Sequence, residues 1–289
     1  MINERKKAIL AMLMSTFCLS VIQLSVKLSG STLTLAQQLF SRNFCTLLLA
    51  VYYVKRENVC FLGKKKSNFC IMSLRAVFGL LGMWIYFYAS QKLLIADATI
   101  ANKTSPLFVA VFGVLFLKQK LSAKQIGCLL LGFMGVAVMT RPQFQSDAGV
   151  FGLAMLGAVF SALGHTMISV LNGREKKSTI IFVNALVSLI ILLPFTDFSF
   201  LQMDLTQWFH MAVIGVMSAV GQVFLTYAYN NNFSGEVSLY NYFGIVFSAI
   251  WGYVFFHEMI SVYSFIGIVI LILSAVGMYR AGQKAKAAQ

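Results

Sequence analysis

Runs of about twenty apolar residues recur along this sequence with few charges inside them, the length a helix needs to cross a hydrocarbon core. They fall at approximately 8–28, 34–54, 69–90, 96–117, 124–141, 149–171, 179–195, 208–229, 236–256 and 262–281. No polar stretch between them is long enough for a soluble domain. Only 11% of residues are charged and the mean hydropathy is +0.80, whereas a soluble domain carries roughly a quarter charged residues. The pattern predicts an all-α polytopic membrane protein of ten transmembrane helices.

The net charge of +14 raises the question of nucleic acid, and the placement of the charges answers it. An even number of spans puts both termini on one side. That side receives Arg5, Lys6 and Lys7, then Lys55, Arg56 and Lys64 to Lys66, then Lys118, Lys120 and Lys124, then Arg174, Lys176 and Lys177, and finally Arg280, Lys284 and Lys286. The other side receives Lys92 and Arg141, with Lys27 at a helix end. Loops rich in Lys and Arg stay in the cytoplasm, so both termini are expected inside a plasma (inner) membrane, with no nucleic-acid partner. The basic start is followed by an apolar stretch, Ala8 to Leu28, longer than a signal core and without an obvious cleavage site. It is expected to remain as the first helix. Five cysteines form no CxxC pair and are expected to be packing residues or free thiols.

Sliding the chain by 139 residues lays 88–141 on 227–280 without a gap. Tyr88 meets Tyr227, Asn102 meets Asn241, Phe108 meets Phe247, Gly113 meets Gly252, Ser122 meets Ser261, and Asp97 falls on Glu236. Each half then holds five helices, and an odd number makes the second copy enter from the opposite face. The expectation is two inverted five-helix repeats, 1–142 and 143–289. Carriers of this design bind substrate near the midplane, at the repeat interface.

Polar groups inside a bilayer are costly and face the protein interior or a water-filled path. At helical spacing, Thr16, Ser20, Gln23 and Lys27 share a stripe of the first span, and Arg75, Gly79, Gly82 and Tyr86 share one of the third. Asn102, Pro106 and Gly113 align in the fourth, with Lys103 beside them. The sixth offers Ser161, His165 and Ser169, the eighth Gly215, Gln222 and Tyr229, and the ninth Asn241, Ser248 and Gly252. Two readings stand: a central cavity, or seams where small residues let helices approach. The candidate substrate-binding residues are Gln23, Arg75, Tyr86, Asn102, Lys103, His165, Gln222, Tyr240, Asn241, Ser248 and Trp251. Arg75 either lines the cavity or snorkels to the interface; Lys103 either binds a substrate carboxylate or snorkels. Arg42 is a candidate partner for backbone carbonyls or for Gln38. Pro106 is positioned to break its helix and free carbonyls.

None of the nine acidic residues sits centrally in a span, so no carboxylate proton relay is visible. Any proton-linked step falls to His165 or to the substrate. His165, His210 and His257 lack ligand-like spacing, and no nucleotide-binding or hydrolase motif occurs. No metal, cofactor or enzymatic activity is expected.

Several of these residues also carry a resemblance. Arg75-Ala76-Val77-Phe78-Gly79, Tyr88-Ala89, Asp97-Ala98-Thr99, Asn102 to Phe108, Phe116-Leu117-Lys118-Gln119-Lys120, and Gly127, Gly132 and Gly135 resemble the drug/metabolite transporter superfamily, in its paired EamA-domain form. Gly221-Gln222, Tyr227-Ala228-Tyr229 and Phe255-Phe256-His257-Glu258 repeat the theme. The resemblance implies the ten-helix inverted-repeat fold, a central cavity among helices 1, 3, 4, 6, 8 and 9, and movement of amino-acid-like, amine, nucleotide-related or drug solutes, often outward. Where such proteins commonly carry Glu at the end of helix 4, this chain has Gln119 and keeps Glu258 in the second copy.

The expectation is a secondary transporter of small metabolites or drugs, an exporter or exchanger working by alternating access. A carboxylate on the solute fits the cationic stripe, and Tyr86, Tyr240, Tyr242 and Trp251 are candidates to pack its apolar part. A non-transporting membrane scaffold or sensor is the alternative.

Overall fold

The computed structural model describes residues 2–29, 33–93, 95–141, 147–196, 203–231, 233–257 and 261–287. Every regular element among them is helical: α1 (Ile2–Ser29), α2 (Leu35–Arg56), α3 (Lys66–Lys92), α4 (Ile95–Asn102), α5 (Ser105–Leu117), α6 (Ala123–Thr140), α7 (Ala148–Val170), α8 (Lys177–Leu192), α9 (Leu205–Tyr229), α10 (Ser234–Val237), α11 (Phe243–Phe256) and α12 (Val262–Ala287). A 3-10 turn, Ser238–Tyr242, joins α10 to α11. In hydrocarbon a helix satisfies its own backbone.

Among the described residues nine segments are long and apolar enough to cross a membrane. The expected span 34–54 is a helix, α2, but Gln37, Gln38, Arg42 and Asn43 leave it the least apolar of the long helices. Two of the nine segments, 97–117 and 234–256, are interrupted: the first is α4 plus α5, the second α10, the 3-10 turn and α11.

The distribution of side chains suits lipid outside. Leu115, Phe265 and Leu273 are 64%, 65% and 61% exposed, while Ser15, Thr166, Thr226 and Ser274 are fully buried. Small residues permit this interior. A Cβ on Gly82 would stand 2.8 Å from the Gly157 carbonyl, so α3 and α7 approach closely only because that position lacks one. Ser15 donates to the Gly221 carbonyl at 3.0 Å where α1 meets α9. These backbone-level contacts are those that hold membrane helices without a hydrophobic drive between them.

Contacts between helices come in matched sets. α3 packs along α7, and α1 along α9; α5 touches α7 as α11 touches α1; α8 meets α3 as α2 meets α9. At the α6–α12 seam, Gly132 and Gly135 lie against Ser274 and Leu271, and Ser274 donates to the Cys128 carbonyl at 2.6 Å. Positions rising along α6 meet positions falling along α12, so the two helices are antiparallel. Local details repeat at the 139-residue spacing as well. Lys118 and His257 both adopt left-handed conformations (φ 52 and 51) and donate their N–H groups to Gly113 and Gly252. Ser122 and Ser261 each accept from the backbone three residues on, at 3.3 and 3.1 Å. All five cysteines are free.

Candidate functional site

The break between α4 and α5 begins with a missing donor. Pro106 sits in the first turn of α5, has no N–H, and leaves the Asn102 carbonyl without its usual partner. Thr104 turns its hydroxyl onto the Ala101 carbonyl at 2.6 Å and closes the end of α4. Lys103 is left between the two pieces, and its Nζ donates to the Asn241 carbonyl at 3.3 Å. Asn241 belongs to the 3-10 turn that interrupts the other broken segment. Ser238, in the same turn, places its hydroxyl 3.0 Å from the Pro106 carbonyl and 2.9 Å from that of Gly235. The two interruptions therefore face each other, with Asn102, Lys103 and Asn241 all half-buried between them.

Along α1 and α11 the chain assembles a polar and aromatic wall. Ser248 donates to Gln23 Oε1 at 2.8 Å, and Trp251 Nε1 donates to Ser20 Oγ at 2.9 Å. The Phe17 ring stands edge-on to Phe247 at 5.6 Å and tilted to Trp251 at 5.8 Å. Thr16 approaches Gly244, as does Lys103 Nζ. Lys103, Asn241, Gln23, Ser248 and Trp251 thus form one neighbourhood, completed by Phe17, which its apolar character hid within an apolar run.

A second neighbourhood lies among α2, α3, α7 and α8. Arg75 is 4% exposed, so it does not snorkel out of the protein, and its Nη1 donates to Asn184 Oδ1 on α8. Arg42 reaches the Met83 sulfur at 3.2 Å, not Gln38, whose amide donates to the Leu33 carbonyl. His165 stacks on Tyr229 with ring centroids 4.7 Å apart, and its Nδ1 is buried without a partner. The remaining candidates sit in packing positions. Gln222 is buried and donates to Thr226 Oγ1 at 3.4 Å; Tyr240 is 5% exposed and donates to the Ala275 carbonyl at 3.2 Å. Tyr86 packs beside Ala89, Ala98 and Ala154. Tyr242 is fully buried. A shallow groove between the ends of α6 and α12, lined by Lys124, Gly127, Cys128, Leu131, Gly277 and Arg280, shares no residue with either neighbourhood.

One end of the bundle is tied by charge. Arg5 and Glu236, each nearly inaccessible, form an ion pair, and Gln125 donates to Glu236 at 3.4 Å. Gln119 uses both ends of its amide there: Nε2 donates to Ser234 Oγ at 3.0 Å, and Oε1 accepts from the Gly235 N–H at 3.3 Å. The Ser234 hydroxyl also stands within donating distance of Oε1, at 3.3 Å. Asp197 and Glu258 lie outside the described residues.

The profile of the EamA-like transporter family matches residues 6–141 and again 149–280. The chain is 30% identical over 278 residues to the pseudopaline exporter CntI of Pseudomonas aeruginosa, covering 95% of this chain and 96% of that one. Solute carrier family 35 member G1 of Homo sapiens is 26% identical, with 92% and 76% covered. An S-adenosylmethionine uptake transporter of Rickettsia bellii is 23% identical, with 81% and 78% covered. A crystal structure with 15% identity shares the fold at a TM-score of 0.76, covering 94% of this chain and 96% of that one. A profile matched twice, on a bundle of apolar helices that keeps its polar residues inside, makes this chain a member of the EamA-like transporter family, a multi-pass membrane transporter of small molecules and not an enzyme.

Proposed function

We propose that the chain is a secondary carrier working by alternating access, built from ten spans, α2 included, in two inverted repeats, 1–142 and 143–289. Both termini lie in the cytoplasm, the membrane is the plasma membrane, and the solute is a carboxylate-bearing metabolite that is exported or exchanged. The observation that carries this reading is the meeting of two broken helices at Lys103 and the Asn241 carbonyl. Discontinuous helices at a repeat interface expose backbone groups and charge to a solute at the midplane. The matched helix contacts and the antiparallel α6–α12 seam support the inverted arrangement. The pseudopaline exporter supports the outward direction, although the uptake carrier among the relatives moves its solute the other way.

Flux in liposomes tests the reading. With carboxylate-bearing metabolites screened by exchange, Lys103→Met is expected to lower transport about tenfold or more, the equivalent of roughly 1.4 kcal/mol of binding. Asn102→Ala is expected to lower it less, with both proteins remaining monodisperse. Unchanged flux in both variants removes these residues from the site; no solute-dependent flux at all in the wild type leaves a scaffold or sensor. A reporter active only in the cytoplasm, fused after Gln289, is expected to work, and its silence overturns the orientation.

A further inference from the structure

Among the described residues two guanidinium groups, that of buried Arg75 and that of half-buried Arg42, have no carboxylate partner. Arg75 is 4% exposed, its Nη1 is held by Asn184, and its Nε is buried with no partner. Among the described residues Arg42 donates to the thioether of Met83 alone, a weak acceptor. Both residues converge on one face of α3, since Arg75, Gly79 and Met83 follow each other at four-residue steps. Gly79 lies beside Arg75: a Cβ there would meet Arg75 Nη1 at an ordinary contact distance, 3.7 Å. On α7, Gly164 packs against the same turn of α3, and the next residue, His165, carries the unpartnered Nδ1.

Unpaired buried charge is unfavourable, and interiors normally pair it. The buried acids among the described residues are engaged: Glu236 with Arg5, Glu175 with Asn68 and the Lys64 N–H, and Asp97 also has a partner. Arg75 Nη1 stands by Gly79 and Arg42 Nη1 by Met83, one turn apart on α3, so two like charges are neighbours. Asn184 is neutral, so it orients the Arg75 fork without neutralising it. That leaves Nε on a preset planar edge, the geometry that takes two oxygens of one oxyanion.

We propose that Arg42, Arg75 and His165 form an oxyanion subsite, for a carboxylate or phosphate group, separate from Lys103, with Asn184 as its positioning residue. The assignment rests on the carrier reading above and adds to it a second point of attachment for acid groups. The oxyanion is either part of the transported metabolite or a free inorganic ion.

Thermal unfolding of the full chain in nanodiscs decides the matter, with sodium glutarate, neutral glutaramide and sodium phosphate compared against sodium chloride at equal ionic strength. At about 10 mM, glutarate or phosphate is expected to raise the wild-type Tm by about 3 °C or more, and glutaramide and chloride to leave it unchanged. Arg42→Gln and Arg75→Gln are expected to unfold at or above the wild-type temperature in chloride, because repulsion is relieved, and to lose the rise. Arg75→Lys keeps a charge without the fork and is expected to lose most of it. No rise with either oxyanion, a rise retained in the glutamine variants, or a lower starting Tm in both of them overturns the subsite. Response to glutarate alone assigns the group to an organic solute; an equal response to phosphate assigns a free inorganic ion. Glutarate that binds but does not cross liposome membranes leaves the subsite standing and counts against the carrier.

Discussion

The α4–α5 and α10–α11 segments are interrupted in the same part of their halves, but the interruptions are made differently. In the first, Pro106 denies the backbone a donor, so the break is covalent and local. In the second no proline occurs, and the chain winds as a 3-10 turn whose residues are buried except Asn241. Tight 3-10 winding has poorer hydrogen-bond geometry than an α-helix and needs outside support. Here that support comes from Ser238 near the Pro106 carbonyl, Lys103 on the Asn241 carbonyl, Tyr240 on the Ala275 carbonyl, and Glu236 on Arg5. One break is written into the sequence; the other exists because neighbours hold it.

The contrast is most open to attack at Glu236. Replacing it by alanine strands a buried arginine and is expected to cost about 3–5 kcal/mol. Amide exchange should then rise through 234–242 while 102–108 stays as before. The double variant Arg5→Met with Glu236→Leu is expected to recover most of that loss, and failure to recover it would mean the pair is not the anchor. Next in size is Pro106→Ala, which restores a donor and a helical preference worth roughly 2–3 kcal/mol to a continuous helix. Amide protection is expected to appear at Ser105 and at position 106, since the Lys103 and Thr104 amides already donate to Thr99 and Ala101, and transport to fall; an unprotected break in this variant would show that it too is held from outside. Ser238→Ala removes one tie and leaves a carbonyl underserved, for roughly 1–2 kcal/mol in chemical unfolding. The smallest effects test where the halves agree. Ser122→Ala and Ser261→Ala each remove an N-terminal cap and are expected to cost about 1 kcal/mol apiece, with a clear inequality between them counting against equivalent roles.

Hydropathy located the apolar segments because burial in lipid acts on long stretches, and the 139-residue register paired Ser122 with Ser261, whose hydroxyls each accept from the backbone three residues on. Pairing across the bundle was less legible. Arg5 read as one of a basic cluster and Glu236 as a helix end, since nothing local links residues 231 apart in the chain. Asn184 was passed over inside an apolar run, although a lone amide there was the available signal for an intramembrane partner. Helical faces identified Gln23, Ser248 and Asn241 as inward but could not separate the open wall from the packed core, where Tyr240 and Gln222 lie. That distinction depends on what stands opposite, a three-dimensional property.

The polarity of α2 has a consequence for how the protein is made. An arginine near the middle of a segment opposes insertion by roughly 2.5–3.5 kcal/mol, and Arg42 sits beside Gln37, Gln38 and Asn43. The helices that pack most closely on α2 are α8 and α9, which leave the ribosome more than a hundred residues later. On the ten-span reading proposed above, α2 has only its flanking helices to keep it in the bilayer until they arrive. A nascent chain stopped before α8 is therefore expected to leave this segment exposed to the translocon or to quality control, and completing the second half is what commits the first to the membrane.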